Sequence, residues 1–262
     1  MPKVRLQKIT SPSGEVVYKC PFCSYTNPKS GPVASHVYYK HRDQLKNLKN
    51  LNKPVFYGKT EETEKGGNGV PILPIKPEVF LPKKVPPYVA LNNEFEVFKV
   101  HLKTSVPLLL VGPKGIGKTL SIAAFAKKNN IPIIQFDCSE DTRRSDLVGR
   151  FVLKGDEVYF ELGVIPTAFE VANKLGACIL VLEELNALSP QMQKVLNQTL
   201  DWRGHCFVPE INKIYTLQNS KLLIVGTMNP STYGGVFELN EDLISRFAVW
   251  RWSYPTTDQE KE

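Results

Sequence analysis

The stretch Val106-Pro-Leu-Leu-Leu-Val-Gly-Pro-Lys-Gly-Ile-Gly-Lys-Thr119 decides how the rest of the chain is interpreted. Its apolar run, residues 107–111, predicts a buried parallel strand, and residues 120–128 predict a helix. Between them stands the full Gly-x-x-x-x-Gly-Lys-Thr pattern of a P-loop. Backbone N–H groups at the start of such a helix point at bound phosphate, and the helix dipole favours the anion. The stretch therefore predicts a site for a nucleoside triphosphate.

The loop residues predicted to bind the nucleotide form one continuous run. Gly115 and Gly117 carry no side chain that would block the approach of the phosphates. Lys118 has the charge and reach for the β- and γ-phosphates, and the Thr119 hydroxyl is suited to ligate Mg²⁺. The complete predicted run is Gly112, Pro113, Lys114, Gly115, Ile116, Gly117, Lys118 and Thr119.

Length and composition indicate an ordinary globular protein. The chain has 262 residues, of which 42% are hydrophobic, so it suggests one large domain or a medium domain with a small module. No apolar run approaches the ~20 residues that a membrane span needs. The N-terminus lacks the apolar core of a signal peptide. We therefore expect a cytoplasmic protein with no membrane partner.

Positive charge is concentrated in the N-terminal part of the chain. The net charge is +7, yet residues 1–60 hold 11 Lys and Arg residues against 2 Asp and Glu residues. A basic region of this kind attracts nucleic acid or an acidic protein surface. A solvated Lys-rich surface without a ligand is an equally good interpretation of the charge alone.

Residues 1–43 contain a metal-ligand pattern. Cys20 and Cys23 are followed after twelve residues by His36, and after four more by His41. This spacing is typical of a structural zinc site with two Cys and two His ligands. A module of ~40 residues buries too little core to fold without such a staple. We predict that these four residues bind Zn²⁺ in a small ββα module, and the stretch resembles the Cys2His2 zinc-finger family.

The zinc-finger resemblance does not imply sequence-specific DNA binding. The positions that read bases in this family fall on Lys29, Pro32 and Ser35, and proline makes no base hydrogen bond. A single finger also covers only ~3 base pairs. Non-specific contact with nucleic acid and docking to a protein remain the two expected uses of the module.

Residues 44–87 are predicted to be a Lys- and Pro-rich linker, with six prolines between positions 71 and 87. Such composition favours an extended chain, and the apolar residues between the prolines predict that it lies along a surface. Residues 88–103 show apolar side chains at helical spacing and predict an amphipathic helix immediately before the P-loop strand.

A second chemical motif follows the P-loop. Residues 177–182 are an apolar run that ends in Glu183 and Glu184, which is the Walker B pattern. The first acid of this pattern orders Mg²⁺, and the second activates the attacking water. The first acid is usually Asp, so the longer Glu183 is a departure. Asn229 follows the predicted strand over residues 221–227, and its amide is suited to orient that water.

The order of these motifs resembles the AAA+ ATPases, and within them the MoxR and dynein-related branch with the NorQ, CbbQ and GvpN types. The similarity spans residues 88–255, which we identify as the ATPase core. Besides the P-loop it rests on Asp146-Leu-Val-Gly149, a hairpin, Leu182-Glu-Glu-Leu-Asn186, Gly226-Thr-Met-Asn-Pro230 and Leu243-Ile-Ser-Arg-Phe247.

This resemblance implies an α/β fold with a parallel sheet in the strand order 5-1-4-3-2, flanked by helices, and a ring that is usually a hexamer. It makes Asn229 the first sensor and Arg246 the arginine finger toward the neighbouring subunit, while Glu184 keeps the water-activating role that the Walker B pattern gives it. The family continues into a helical lid, so residues 256–262 are expected to begin that lid, of which the rest is missing. Two hairpins, near residues 154–156 and 206–213, would face the pore or a client.

The leading hypothesis is a ring ATPase that uses ATP and Mg²⁺ to remodel a protein or macromolecular complex, with a protein client or a von Willebrand A-type partner. A nucleic-acid motor or loader is the first alternative, because of the basic N-terminal region. GTP specificity, as in the related McrB branch, is another. A zinc-dependent adaptor that binds nucleotide without hydrolysis is the non-enzymatic alternative.

Overall fold

The structure is a computed structural model that describes residues 7–10, 16–20, 26–27, 64–91, 93–200, 203–229 and 237–254. The chain divides into two compact units, Met1–Thr60 and Glu61–Glu262. Among the described residues, no helix is both long enough and apolar enough to cross a membrane.

The smaller unit contains a three-stranded antiparallel sheet. Its strands are β1 (Gln7–Thr10), β2 (Val16–Lys19) and β3 (Thr26–Asn27), and they lie in that order. The buried Cys20 directly follows strand β2. The rest of the predicted finger, including Cys23, His36 and His41, lies outside the described residues.

The larger unit alternates strands and helices in the manner of an α/β protein. In chain order it contains α1 (Glu94–Thr104), β4 (Leu108–Val111), α2 (Lys118–Lys128), β5 (Ile133–Asp137), α3 (Arg144–Leu147), β6 (Gly149–Lys154), β7 (Glu157–Leu162), α4 (Val164–Leu175), β8 (Ala177–Glu183), α5 (Pro190–Thr199), β9 (His205–Val208), β10 (Lys213–Thr216), β11 (Lys221–Met228), α6 (Glu241–Ile244) and β12 (Ala248–Arg251).

Five strands form the central sheet in the order β12-β4-β11-β8-β5. Every neighbouring pair is parallel. Counted along the chain, this is the predicted order 5-1-4-3-2, so the expected fold class of the core is confirmed. Because all five strands run the same way, their carboxyl ends lie at one edge of the sheet and their amino ends at the other. We call these the carboxyl edge and the amino edge.

Side chains of the sheet alternate between two apolar layers, as the period of a strand requires. In β4, Leu108 and Leu110 join a layer that contains Phe98 of α1 and Phe125 of α2. The intervening Leu109 joins the opposite layer, built largely on α4 and α5. The P-loop strand is therefore buried on both faces, which is why its sequence is a continuous apolar run.

Two antiparallel hairpins are added to this core, and both were predicted. Strands β6 and β7 pair with Leu153 opposite Val158, and β9 and β10 pair with Phe207 opposite Ile214. These four side chains are exposed, and Leu153 is the most exposed of them at 74%.

The second half of the predicted linker, residues 64–87, lies within the larger unit. Ile72 is only 2% exposed and belongs to its apolar core. The Phe160 N–H donates to the Pro71 carbonyl at 2.8 Å, and the Leu73 N–H donates to the Phe160 carbonyl at 2.9 Å. These residues therefore pair with β7 in a short parallel bridge, and Ile72 is part of the core instead of the expected surface segment.

The predicted helix over residues 88–103 begins later than expected, at Glu94. Asn93 before it has a left-handed backbone, and the Leu91 N–H donates to the Glu94 carboxylate at 3.2 Å. The apolar spacing that suggested an earlier start belongs in part to an extended segment that packs beside the helix.

Candidate active site

The carboxyl edge of the sheet brings together the P-loop and the two later motifs. The loop of residues 112–117 leaves the end of β4, while Glu183 ends β8 and Asn229 directly follows β11. Since these three strands are neighbours, side chains separated by more than a hundred residues lie within hydrogen-bonding distance. The predicted nucleotide site is thus one continuous region.

The P-loop takes a conformation that depends on its glycines. Gly115 and Gly117 have φ angles of 82° and 89°, a region that costs other residues steric strain. Gly112 is required for a different reason, because a Cβ placed there would lie 2.9 Å from the Cβ of Trp252. Helix α2 begins immediately after the loop, at Lys118. The N–H groups of its first turn are therefore available to an anion.

Lys118 closes the loop on itself. Its Nζ donates to the carbonyls of Gly112 at 2.7 Å and Pro113 at 2.8 Å, and to Oδ1 of Asn229 at 3.3 Å. Burial lowers the pKa of its ammonium group, while the charges of Glu184 and Glu183 act in the opposite direction. The Lys118 ammonium group therefore contacts both the P-loop and Asn229, which follows β11.

Thr119 and Glu183 form the closest side-chain contact of the site. The Thr119 Oγ1 donates to Glu183 Oε2 at 2.7 Å, and Gln135 Nε2 of β5 lies 3.5 Å from the other carboxylate oxygen. The longer Glu183 side chain therefore reaches the P-loop hydroxyl directly. A hydroxyl beside a carboxylate is a donor set that suits Mg²⁺, which prefers oxygen ligands.

Glu184 follows at once and has an unusual backbone. Its φ of 51° and ψ of 48° place it in the left-handed region, and its N–H donates to Thr227 Oγ1 of β11 at 3.3 Å. The side chain is exposed. The backbone thus leaves the strand conformation at Glu184, directly after the residue that contacts Thr119.

Arg246 is not part of this cluster. It precedes β12 by two residues and therefore lies near the amino edge, whereas the P-loop lies at the carboxyl edge. Its Nε donates to the Asn197 carbonyl at 3.2 Å and its Nη1 to the Asp242 carbonyl at 2.6 Å. In its own subunit, Arg246 is thus separated from the P-loop by the length of the sheet.

The predicted zinc ligands are represented among the described residues only by Cys20, which is buried. Within the described ranges no group of three or more His, Cys, Asp or Glu side chains is arranged to hold a metal ion. The other three residues of the pattern, Cys23, His36 and His41, are outside those ranges.

Several residues of the site had no predicted role. Asn186 is 2% exposed, and its Nδ2 lies 3.4 Å from the Asn229 carbonyl, beneath the end of β11. Tyr254 Oη donates to the Lys114 carbonyl at 3.4 Å, while Tyr88 lies beside Gly117. Asn186 was visible within the second motif, but for the two tyrosines and Gln135 the sequence held no signal, because their contacts join distant segments.

The comparisons with known proteins agree with this geometry. The family model described as AAA domain (dynein-related subfamily) matches residues 107–247. Protein CbbQ of Hydrogenophilus thermoluteolus is 27% identical over 70% of this chain and 66% of its own length. The denitrification regulatory protein NirQ of Pseudomonas aeruginosa is 26% identical over 67% of this chain and 65% of its own.

A crystal structure from Cytophaga hutchinsonii has a similar fold, with a TM-score of 0.51 and 21% identity over 66% of this chain and 50% of that one. The chain spans just under two thirds of the length of the curated relatives it matches, 66% for CbbQ and 65% for NirQ.

Proposed function

Because this chain belongs to the dynein-related subfamily of AAA domains, we propose that it is a Mg²⁺-dependent ATPase that acts as a ring oligomer to remodel a protein or macromolecular complex. The observation that carries the proposal is the junction of P-loop and Walker B residues, in which Thr119 Oγ1 donates to Glu183 Oε2 at 2.7 Å. The P-loop and the Walker B pattern are in contact there, as binding of a nucleotide with Mg²⁺ requires.

The residues of the cluster divide the work of binding. The N–H groups from Gly115 to Thr119 hold the phosphates, and Lys118 exchanges its bonds with the loop carbonyls for phosphate oxygens. Thr119 and Glu183 would hold Mg²⁺, which when bound neutralises charge on the phosphates. Asn229 stays within reach of Lys118 and is therefore placed near the γ-phosphate end of the loop.

Glu184 is the residue that we assign to activation of water. Glu184 is exposed, so its carboxylate is accessible to a water molecule, and its charge acts against the lowering of the Lys118 pKa by burial. A carboxylate in this position accepts a proton from water as that water attacks phosphorus.

Arg246 completes the site in the neighbouring subunit. Its position near the amino edge leaves it no role at its own P-loop, which supports an action in trans. A guanidinium that reaches a transferring phosphate stabilises the charge that develops there, with effects of ~10³–10⁵-fold in other NTPases. We therefore propose that the chain forms a ring in which each Arg246 faces the next nucleotide.

The exposed hairpins support a remodelling role. Leu153 and Val158 lie opposite each other on one hairpin, Phe207 and Ile214 on the other, and all four are exposed. Exposed apolar side chains that lie opposite each other on paired strands are suited to contact a protein. We propose that they contact the client, and a von Willebrand A-type protein is a partner of this kind.

A role on nucleic acid is the second candidate, because residues 1–60 hold 11 basic and 2 acidic residues. Binding to DNA would then weaken steeply as salt increases. A lack of binding to single- and double-stranded DNA at low salt would exclude this role.

A separate question is whether the P-loop prefers ATP or GTP. Competition between the two nucleotides for binding would determine this preference.

The small N-terminal unit is proposed to bind Zn²⁺ through Cys20, Cys23, His36 and His41. Support comes from the pairing of β2 with β3, with Tyr18 opposite Asn27, and from the buried Cys20 at the end of β2. In a zinc knuckle the two cysteines lie between paired strands, so the pairing of β2 with β3 is consistent with the proposal.

The proposed activity is tested by steady-state ATP hydrolysis of the wild type, Lys118→Ala and Glu184→Gln. Lys118→Ala should lose nucleotide binding, whereas Glu184→Gln should bind ATP normally and hydrolyse it at least ~10²-fold more slowly. Glu140→Gln, an exposed residue nearby, serves as the control. Unchanged turnover in Glu184→Gln would remove the role assigned to that carboxylate.

A further inference from the structure

Gln193 of α5 is a fully buried amide, with an exposure of 0%. Its Nε2 donates to the Leu188 carbonyl at 3.0 Å and to the Glu238 carbonyl at 3.3 Å. Its Oε1 accepts from the Asn240 N–H at 2.8 Å. One side chain therefore fastens two separate backbone segments, one that follows Glu184 and one that leads into α6.

Asn197 lies one helical turn further along the same face of α5. The main-chain carbonyl of Asn197 accepts a hydrogen bond from Nε of Arg246 at 3.2 Å. The second bond of Arg246 goes to the Asp242 carbonyl in α6, and α6 is the helix that begins directly after Asn240. Helix α5 therefore contacts Arg246 directly through Asn197 and indirectly through Gln193 and α6.

Further bonds tie the same two segments together. The Phe237 N–H donates to the Asn186 carbonyl at 2.8 Å, and Asn240 Nδ2 lies 3.4 Å from the Pro190 carbonyl. Asn186 itself lies two residues after Glu184 and contacts the Asn229 carbonyl at 3.4 Å. A set of hydrogen bonds, most of them partly buried, thus leads from the segment that follows Glu184 to Arg246.

We propose that Gln193 is a positioning residue that sets Arg246 for the neighbouring subunit and makes its position depend on the segment that follows Glu184. The inference rests on the proposed function, in which Arg246 acts in trans. It adds a set of contacts through which the nucleotide bound in one subunit could change the position of Arg246, and Arg246 acts at the nucleotide of the neighbouring subunit.

The chemistry of the amide explains why a glutamine is needed here. A methionine of similar length would leave the carbonyls of Leu188 and Glu238 and the N–H of Asn240 without this partner, and unpaired buried groups are costly. The segment before α6 would move toward other partners, and Arg246 would move with it. Residues that bind nucleotide in the same subunit are not touched.

The Gln193→Met substitution should therefore affect nucleotide affinity and ATP turnover differently. Its affinity for a fluorescent ATP analogue should stay within about twofold of the wild type, while turnover should fall at least about tenfold, as for partial loss of an arginine finger. Gln193→Glu is the second variant, because it keeps the acceptor for Asn240 while a carboxylate oxygen that cannot donate faces the carbonyls of Leu188 and Glu238. Gln191→Met, at an exposed position of the same helix, should behave as the wild type.

The decisive experiment mixes variants within one ring. Glu184→Gln subunits cannot hydrolyse ATP but carry a correctly positioned Arg246. Gln193→Met subunits keep Glu184 but have a displaced Arg246. If Gln193 acts through Arg246, an equal mixture should turn over ATP severalfold faster than the mean of the two separate proteins. Arg246→Ala mixed with Glu184→Gln is the reference for rescue in trans.

Three outcomes are informative. Rescue in both mixtures, and with Gln193→Glu, supports the inference. Rescue with Arg246→Ala but not with either Gln193 variant overturns it, since Gln193 would then act only within its own site. Absence of rescue with Arg246→Ala overturns the action of Arg246 in trans, and the inference that rests on it, while leaving the ATPase assignment to the Glu184→Gln test.

Discussion

Thr119 and Glu183 are joined by a hydrogen bond of 2.7 Å between Oγ1 and Oε2, which links the first turn of α2 to the end of β8. Glu183 stands at the position where the Walker B pattern usually has an aspartate. The extra methylene of Glu183 spans the distance to the P-loop hydroxyl, and Gln135 lies 3.5 Å from its other oxygen.

Shortening this side chain should weaken Mg²⁺ binding more than nucleotide binding. Glu183→Asp withdraws the carboxylate from Thr119, and we expect the Mg²⁺ concentration for half-maximal binding of a fluorescent ATP analogue to rise about tenfold, equivalent to ~1.4 kcal/mol. Affinity measured without Mg²⁺ should change little. Equal losses with and without Mg²⁺ would argue against the role given to Glu183.

Ile72 should prove to be part of the ATPase core although it precedes the matched family region. Its side chain is 2% exposed within the larger apolar layer, so Ile72→Ala should cost ~2–5 kcal/mol in the free energy of unfolding. Val79→Ala, at a position 62% exposed, should cost less than ~0.5 kcal/mol. Chemical denaturation measures both, and similar values for the two variants would show that the segment is only loosely attached.

Glu170 should give the core a pH-dependent stability. Burial raises its pKa, the charge of Glu64 adds to this, and Lys213 and Lys174 partly offset it. Because the folded pKa lies above the unfolded one, the contribution of Glu170 to stability is complete below about pH 4.3. It is lost as pH rises through the folded pKa.

Glu170→Gln keeps a neutral side chain at every pH, so its stability relative to the wild type should increase as pH rises from about 4.3 through the folded pKa of Glu170. Thermal unfolding across this range measures the difference, with the exposed Glu140→Gln as a baseline. A difference that stays constant or falls with rising pH would be inconsistent with the raised pKa.

Removal of zinc should affect only the small unit. Elemental analysis should find about one zinc ion per chain. The Cys20→Ser variant should contain no zinc. Cys206 is buried in the larger unit, so the Cys206→Ser control should keep the zinc content of the wild type. A chelator should unfold residues 1–60 and leave the unfolding transition of the ATPase core unchanged. Full structure in the small unit of a metal-free chain would contradict the predicted site.

The sequence was most informative where local pattern and chemistry coincide. The apolar run of β4, the glycines of the P-loop and the start of α2 follow one another within a few residues, so periodicity was sufficient to predict them. The strand order came from the resemblance to the AAA+ family, because the order in which parallel strands pair depends on contacts between distant segments.

Other features depended on such contacts and were not predictable. Prolines between positions 71 and 87 indicated a linker, yet the bridge of Ile72 to Phe160 makes part of it core. Gln193 lies in a polar helical sequence and gives no sign of burial, because its partner Asn240 is 47 residues away. Polar residues that satisfy distant backbone groups carry no periodic signal.

The central claim, a catalytic site completed by a neighbouring subunit, is tested most directly by ATP turnover per chain as a function of protein concentration, with particle mass measured on the same samples. Turnover per chain should rise as assemblies form, and Arg246→Ala should assemble equally well while remaining at the low rate. The same turnover per chain at all concentrations, in particles with the mass of a single chain, would contradict the account.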